Sequence, residues 1–588
     1  MSVRLRRARG IAAVAACAAF FSSPAAPAAT LTAPEAADRS CIEGKRTDPA
    51  TAAETVEAPG VSMVQARLTG AQGNWDLAVI DEAGRVVAGS AYADGDEIAE
   101  GYTTAPGELW VQACRRTGTD ETAQLDVETT ELSSAADRIQ MARVAVPGDE
   151  SFATLNAYGF DLTEHGGAGY VDVVLHGPAE AAQLNDLGFS FDVIEDDLAQ
   201  ASIADRRAEA RGAGAPVLPS GRTGTYRELA DYSEEMQALA ADNPKLVRYF
   251  TLKKETYSGR PVEAIEVAPG VNRSDGRPTF VMTGAHHARE WPSAEHTIEF
   301  AYELIERFKS GNKQTRKLLR RARVVFVPIV NPDGFSVSRG AASALASPQG
   351  RDAPAGDETA NLLIEREYHR KNCRYLKSTG LDGGNCAQEP DNGVAHFGVD
   401  PNRNYGGFWG GPGAATGDEA PLFDLAADYR GPGPFSEPES QNIRKLVSGR
   451  HVTVLITNHT FSNLVLHPPG LQAQGKPRDD RALKALAHSM AAENGYTAQR
   501  GYELYDTSGT TEDWSYNATS GFGFTFEIGP SAFHPNYQSV ADEYTGNTDS
   551  ADGGGGNRAA YMKALRFAGK TKKHSLLKGE APSGSHLT

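Results

Sequence analysis

Residues 279–290 read TFVMTGAHHARE, a short apolar run followed at once by two histidines and a glutamate. A brief run of this kind, ended by Gly284, is typical of a buried β-strand. The His-x-x-Glu spacing supplies two side chains that can bind a metal ion. Such a pair alone is weak evidence, because most of these pairs are surface polar residues. At this point either His286 or His287 can be the ligand.

Two later apolar runs end in the same way. The run 452–457 precedes His459, and the run 522–526 precedes Glu527. Because the ligand crevice of an open α/β sheet lies beyond the carboxyl ends of its strands, these distant side chains are expected to meet at one sheet edge. Two imidazoles and one carboxylate are the usual ligands of a catalytic zinc, which keeps a fourth position open for water. The sequence therefore predicts one Zn²⁺ ion in this domain.

The sequence around these runs indicates the fold. From Tyr226 onward, helical and strand patterns alternate, which predicts an α/β domain over 223–570 with a mixed central sheet and helices on both faces. The clearest segments are helices at 227–241, 293–309 and 557–568 and strands at 279–283, 324–329 and 452–457. The stretch 340–367, rich in Ala, Gly and Asp, is interpreted as a surface insertion, and 571–588 as a tail.

Six segments of this domain carry chemistry in a fixed order. They are Gly284–Trp291, Asn331-Pro332-Asp333-Gly334, Arg370-Lys371-Asn372, Asp400-Pro401-Asn402-Arg403-Asn404, His459-Thr460-Phe461 and Phe524-Thr525-Phe526-Glu527. As an ordered set they resemble the catalytic domain of the M14 family, the carboxypeptidase A and B type metallocarboxypeptidases. The resemblance covers about 223–570.

The resemblance assigns the metal ligands. It implies that His287, Glu290 and His459 bind zinc and that His286 is only a neighbour. Asp400 matches the residue that orients the first histidine through its other ring nitrogen.

The resemblance also implies the catalytic and substrate-binding residues. Glu527 matches the general base, which would take a proton from zinc-bound water and pass it to the leaving amine. Arg370 matches the arginine that faces the developing oxyanion together with zinc. Arg403, Asn402 and Tyr505 match the residues that hold a free C-terminal carboxylate. This set implies an exopeptidase.

Side-chain preference depends on Glu512, which matches the pocket-base position of the family. An acidic residue there favours a basic C-terminal residue. Two departures bear on this prediction: Arg500 lies close in sequence and can neutralise Glu512, and Phe461 stands where pancreatic relatives carry tyrosine. The preference can therefore be basic, hydrophobic or dual.

Two further units are predicted ahead of this domain. Short alternating runs separated by Gly- and Asp-rich turns over 38–132 indicate a small β-sandwich. Residues 139–198 show a mixed pattern that indicates a compact α+β unit, the prosegment-like unit. Between 151 and 200 there are nine acidic side chains and no Lys or Arg, so the unit suits a cationic cleft, although an ordinary acidic surface would look the same. Residues 199–222, with several arginines, glycines and prolines, are expected to form an exposed linker open to proteolysis.

Residues 1–29 resemble a secretory signal peptide, with an arginine-rich start, an apolar run and a small-residue stretch. Val14-Ala15-Ala16-Cys17 also resembles a lipoprotein box, but the apolar run continues past the cysteine. Secretion fits the four remaining cysteines, which we pair as Cys41 with Cys114 and Cys373 with Cys386, one of three possible connectivities.

Composition limits the partners. A net charge of −18 and a pI near 5.3 argue against a nucleic-acid partner. No apolar stretch of 18 residues follows the N-terminus, so no membrane span is expected. We expect a secreted monomeric enzyme that acts on peptide or protein C-termini. The alternatives are an M14-like hydrolase of cell-wall peptides and an inert peptidase-like binding protein.

Overall fold

The computed structural model describes most of the chain. The described residues are 29–43, 51–70, 72–132, 137–167, 169–211, 217–273, 275–374, 398–414, 426–547 and 554–573. The predicted signal peptide up to residue 28 and the tail beyond 573 lie outside them. Within the described residues, no helix is long and apolar enough to cross a membrane.

The first unit is a β-sandwich, as the alternating pattern predicts. Its strands are β1 (Ala29–Thr32), β2 (Thr51–Ala58), β3 (Ser62–Thr69), β4 (Trp75–Asp81), β5 (Val86–Ser90), β6 (Glu97–Tyr102), β7 (Gly107–Arg115) and β8 (Thr122–Glu131). They form two antiparallel sheets in the orders β1-β8-β3-β6 and β2-β7-β4-β5. Alternate residues of β8 are buried, because strand side chains point to opposite faces.

A disulfide joins Cys41 to Cys114 in this unit, as predicted. Cys373 is also disulfide-bonded, and its expected partner Cys386 lies outside the described residues.

The prosegment-like unit is an antiparallel sheet with two helices. Its elements are β9 (Gln140–Ala145), α1 (Asp149–Ala157), β10 (Asp161–Gly167), β11 (Tyr170–Leu175), α2 (Pro178–Asp186) and β12 (Phe191–Glu195), with strand order β10-β11-β9-β12. Helix α3 (Leu198–Ala210) follows and packs Ser202, Ile203 and Arg206 into buried positions. The first half of the expected linker is therefore a packed helix.

The peptidase domain contains one eight-stranded mixed sheet. Its strands are β13 (Val247–Thr251), β14 (Glu263–Val267), β15 (Thr279–Thr283), β16 (Arg323–Val327), β17 (Val452–His459), β18 (Leu464–His467), β19 (Thr497–Arg500) and β20 (Phe522–Glu527), in the order β13-β14-β16-β15-β17-β20-β18-β19. The central strands β16, β15, β17 and β20 run parallel. Their carboxyl ends therefore meet at one edge.

Helices cover both faces of this sheet. They are α4 (Leu229–Asp242), α5 (Trp291–Lys309), α6 (Lys313–Leu319), α7 (Pro332–Leu345), α8 (Pro348–Arg351), α9 (Glu358–Glu367), α10 (Pro438–Ser448), α11 (Asp480–Asn494), α12 (Thr511–Thr519), α13 (Tyr537–Thr545) and α14 (Gly556–Ala568). The interpretation of 340–367 as a surface insertion is wrong. The C-terminal part of α7 and most of α9 are buried, because both helices lie between other packed elements.

Candidate active site

Three side chains meet at the carboxyl edge of the central strands. His287 and Glu290 follow β15, and His459 ends β17, the parallel neighbour of β15. Glu290 Oε1 lies 2.7 Å from His287 Nδ1, and Glu290 Oε2 lies 2.8 Å from His459 Nδ1. All three residues are buried, and one ligand atom from each lies within 4.8 Å of the other two.

The donor set fits a zinc ion. His287 Nε2 lies 3.1 Å from Asp400 Oδ1, so the carboxylate accepts that N–H and leaves the lone pair of Nδ1 directed at the other two ligand atoms. His287, Glu290 and His459 therefore form a metal-binding site. His286 is engaged elsewhere, since its Nε2 lies 2.9 Å from the Tyr405 hydroxyl and its Nδ1 lies 3.2 Å from Thr457 Oγ1.

The connection between β15 and α5 positions His287 and Glu290. Helix α5 begins immediately after Glu290, and the Ala285 N–H donates to Ser293 Oγ across the turn. Gly284 allows this approach, because a Cβ there would lie 2.5 Å from the Ser293 carbonyl oxygen. The tight connection from β15 to α5 therefore sets the His-x-x-Glu pair at the sheet edge.

Glu527 lies beside the metal-binding site. It is opposite His459 in the parallel pairing of β17 with β20. Burial raises its pKa well above the ordinary value, and the nearby Glu164 and Glu290 carboxylates raise it further. Burial and both carboxylates thus disfavour the ionised form of this carboxyl group.

Arg370 contacts the same Asp400 carboxylate as His287 does. Its Nε and Nη2 donate to Asp400 Oδ2 over 3.2 and 3.1 Å. Asp400 therefore orients both His287 and Arg370. Burial alone would raise the pKa of Asp400, but His287 and Arg370 hold it well below its usual range.

The residues expected to hold a terminal carboxylate are also buried here. Arg403 donates to the carbonyl oxygens of Gly413 and Asn402, and within the described residues it forms no salt bridge with a carboxylate. Asn402 Oδ1 accepts from the Thr511 N–H over 3.0 Å. Tyr505 is buried and stacks on Phe152, with ring centroids 5.9 Å apart.

Glu512 is a buried carboxylate near these residues. One of its oxygens accepts from the Thr510 hydroxyl over 2.9 Å, and the other has no hydrogen-bond partner in the part of the chain that the structure describes. Arg500 does not pair with it, because its guanidinium is held by Asp480 at 2.8 Å and Glu503 at 3.4 Å. Burial and the neighbouring Glu512 together raise the pKa of Asp513 to about 7.

The prosegment-like unit lies over this cleft. Asp161 forms a bidentate pair with Arg289, in which Nη2 donates to Oδ1 over 2.7 Å, and both side chains are buried. Glu164 Oε1 lies 3.5 Å from Arg370 Nη1, and the Glu164 carbonyl accepts from Ser462 Oγ. Two acidic side chains of the unit thus face two arginines of the cleft.

Aromatic contacts complete this cover. Phe152 stacks on Tyr505, and His165 stacks on Phe461 with ring centroids 5.7 Å apart. Sequence reasoning identified the acidic unit and the cleft residues but not these pairs. The acidic bias over 151–200 was the available signal, and it does not say which carboxylate meets which arginine.

Comparisons with known proteins agree with this geometry. A family model described as zinc carboxypeptidase, the M14 peptidases, matches residues 232–548, more than half of the chain. The chain belongs to this family. The fold class, zinc as the metal and the M14 resemblance predicted from sequence are thereby confirmed.

Relatives include carboxypeptidase A2 of Rattus norvegicus, 26% identical over 317 residues that cover 53% of this chain and 64% of that protein. A zinc carboxypeptidase of Saccharothrix mutabilis subsp. capreolus is 26% identical over 353 residues, which cover 58% of this chain and 70% of that protein. The chain thus spans less than two thirds of the length of the first relatives it matches.

Solved structures show the same fold. The crystal structure of carboxypeptidase A from Helicoverpa armigera has a TM-score of 0.57 at 18% identity and covers 74% of this chain and 99% of that one. Thrombin activatable fibrinolysis inhibitor has a TM-score of 0.53 at 18% identity, covering 74% of this chain and all of that one.

Proposed function

We propose that the protein is a secreted zinc-dependent exopeptidase that hydrolyses the C-terminal peptide bond of peptides or proteins. The observation that carries the proposal is the meeting of His287, Glu290 and His459 with Glu527 in one buried cleft at the carboxyl ends of β15, β17 and β20. Arg403 in the same cleft supports an exopeptidase, because a buried guanidinium that pairs with no carboxylate among the described residues suits a free chain terminus.

Substrate binding in this proposal begins at the terminal carboxylate. Arg403 would hold it in a bidentate pair, with Asn402 and Tyr505 donating further hydrogen bonds. An amidated C-terminus lacks the charge and one acceptor, so it would leave Arg403 buried and unpaired. Loss of such a partner costs about 1–3 kcal/mol or more for a charged group.

Proton transfer is assigned to Glu527. A zinc ion held by His287, Glu290 and His459 would polarise the scissile carbonyl and acidify a water molecule. Glu527 would accept the proton of the attacking water and donate it to the leaving amine. This carboxyl must be ionised to start, so the raised pKa in the covered cleft opposes catalysis.

Arg370 would stabilise negative charge that develops on the carbonyl oxygen. Its two hydrogen bonds to Asp400 fix the guanidinium plane and leave Nη1 facing the cleft, where Glu164 now lies. Removal of one such donor commonly costs about 2.7–4 kcal/mol of barrier.

The uncut chain is proposed to be a precursor. Glu164 lies against Arg370, which is proposed to face the oxyanion, and Phe152 lies against Tyr505, which is proposed to bind the terminal carboxylate. Substrate and the prosegment-like unit would therefore compete for the same groups. Cleavage is expected after Arg207 or Arg211, which are exposed, rather than after Arg206, whose side chain is buried. Release would admit water to Glu527 and remove Glu164, which lowers the pKa of Glu527 towards its working range.

A basic C-terminal residue is the proposed preference. Glu512 is buried, one of its oxygens has no partner among the described residues, and Arg500 is held elsewhere. The carboxylate is therefore available to a lysine or arginine side chain. Secretion is proposed from the N-terminal segment and is supported by the Cys41–Cys114 disulfide.

The test uses peptides with free and amidated C-termini, analysed by mass spectrometry before and after linker proteolysis and with or without a chelator. Single-residue loss from free termini only, abolished by chelation and greater after proteolysis, is expected. Equal cleavage of both peptide sets would reject the exopeptidase assignment. Cleavage of muropeptides alone would favour the cell-wall alternative, and a zinc-free, inactive protein the binding alternative.

A further inference from the structure

The β-sandwich contacts the peptidase domain through four charged side chains. Arg67 and Glu100 come from the sandwich, and Arg260 and Asp333 come from the peptidase domain. Arg260 is fully buried, with Nη1 donating to Asp333 Oδ1 over 3.0 Å and Nη2 lying 3.4 Å from Glu100 Oε2. The two cations and two carboxylates balance each other's charge. Each domain contributes one cation and one carboxylate, and the contact of Arg260 with Glu100 joins the two pairs across the interface.

Hydrogen bonds link these charges into one network. Gln65 on β3 pairs in register with Glu100 on β6. Its side-chain amide donates to Glu100 Oε2 over 2.5 Å and accepts from Arg67 Nε over 2.8 Å. Arg67 Nη1 then crosses the interface and donates to the Ser258 carbonyl oxygen over 2.8 Å. Separation of the domains would leave Arg260 without one of its two carboxylates, and a buried charge that loses a partner is costly.

An apolar contact lies beside the network. Met63, Tyr102 and Leu132 of the sandwich share one buried cluster with residues of α7, namely Val337, Ala341, Ala344 and Leu345. Gly340, in the middle of α7, permits close packing, since a Cβ there would lie 3.3 Å from both Gly101 Cα and Tyr102 Cδ2. Glycine disfavours a helix interior, so its position here fits a close approach of the two domains.

A third contact involves α4. Gln237 donates to the Ala91 carbonyl oxygen over 2.8 Å and accepts from Asn74 Nδ2 over 3.3 Å. The interface thus contains a buried charge network, an apolar cluster and separate polar contacts. Buried polar groups with partners on both sides are expensive to expose, which is a property of permanent interfaces rather than of transient ones.

We infer that the β-sandwich is permanently docked on the peptidase domain. The sandwich stays bound to that domain when the backbone is cut on both sides of the prosegment-like unit. The inference concerns the interface and holds whichever reaction the cleft performs. The sandwich would stay on the peptidase domain, whereas the prosegment-like unit is proposed to be released from it.

The experiment starts from the full chain, with recognition sites for a site-specific protease replacing residues 133–136 and 212–216, which lie outside the described residues. After both cuts, native size-exclusion chromatography at micromolar concentration separates bound from free fragments. Co-elution of the sandwich with the peptidase domain is expected. Elution of the sandwich as a free fragment would overturn the inference.

Two variants test the contacts that hold the sandwich. Glu100→Gln removes one charge with little change of shape, and Gly340→Leu places a side chain between α7 and β6. Each is expected to raise the dissociation constant of the sandwich about 10- to 100-fold. Glu128→Gln is the matched control, because Glu128 is exposed on β8 and pairs in register with Gln65. The control should change the constant less than about twofold.

Folding of the variants is checked separately. The uncut variants should keep the circular dichroism spectrum of the wild type, because each substitution leaves the cores of both domains intact. Leucine also favours a helix more than glycine does, so α7 itself is not weakened. A dissociation constant unchanged in both Glu100→Gln and Gly340→Leu would refute the assigned contacts and with them the inference.

Discussion

Replacement of Asp161 by asparagine in the uncut chain is expected to activate the proposed precursor. The Asp161 carboxylate accepts both hydrogen bonds of its bidentate pair from Arg289, and both side chains are almost fully buried. Asparagine keeps the shape but loses the charge, so Arg289 would remain buried with a weaker partner. The substitution therefore weakens the contact between the prosegment-like unit and the cleft.

The size of the effect follows from the burial. Removal of one partner from a buried pair costs about 3–5 kcal/mol, and asparagine retains one acceptor, so we take the lower limit of about 3 kcal/mol. That value lowers the ratio of covered to open molecules about 150-fold. Because only open molecules turn over substrate, kcat/KM of the uncut chain should rise about 100-fold, up to the level of the linker-cut enzyme.

The assay compares hippuryl-arginine hydrolysis by uncut and linker-cut protein. Asp192→Asn is the control, because Asp192 is exposed on β12 of the same unit. The two variants should have equal activity once the linker is cut and the prosegment-like unit no longer covers the cleft. If uncut Asp161→Asn is no more active than the uncut wild type while the linker-cut enzyme is active, the ion pair does not maintain the covered state.

Three further predictions concern the same cleft. Arg370→Ala should lower kcat about 100- to 1000-fold with little change in KM, and an unchanged kcat in steady-state assays would remove Arg370 from oxyanion stabilisation. Glu512→Gln should lower kcat/KM for hippuryl-arginine about 10- to 100-fold and leave hippuryl-phenylalanine nearly unaffected; a wild type that cleaves only hippuryl-phenylalanine contradicts this. Burial would raise the pKa of Asp161, but Arg289 holds it well below its usual range. The contribution of the Asp161 carboxylate to docking is therefore complete above about pH 4 and is lost only at lower pH. Incubation of the uncut chain at pH 5 should therefore not activate it, and activity measured after return to pH 7 checks this.

Much of the peptidase domain could be predicted from local pattern. The strands 279–283 and 452–457 and the helix 293–309 agree with β15, β17 and α5 to within two residues at each end. Each has a clear apolar period and a polar or glycine boundary, and such signals depend on neighbours in sequence. Parallel strands then bring His287, His459 and Glu527 to one edge, which is why residues so far apart in the chain could be grouped before the structure was known.

Other features had no local signal. The stretch 340–367, which includes the end of α7, reads as an Ala-, Gly- and Asp-rich surface insertion. Its first residue, Gly340, instead allows the β-sandwich to approach closely. Helix α1 and strand β10 of the prosegment-like unit were not predicted either. The burial of β10 comes from packing against other elements, and weak periodicity leaves both elements indistinct in the sequence.

The sequence by itself determined the chemistry, because side-chain type and order along the strands decide which ligands and which base can meet at a sheet edge. The selection of His287 over His286 followed from the family resemblance and agrees with the Asp400 contact. Only the tertiary structure decided the pairs Asp161–Arg289 and Glu100–Arg260. These contacts join separate units through long-range packing, and no sequence period records which carboxylate will neutralise which buried arginine.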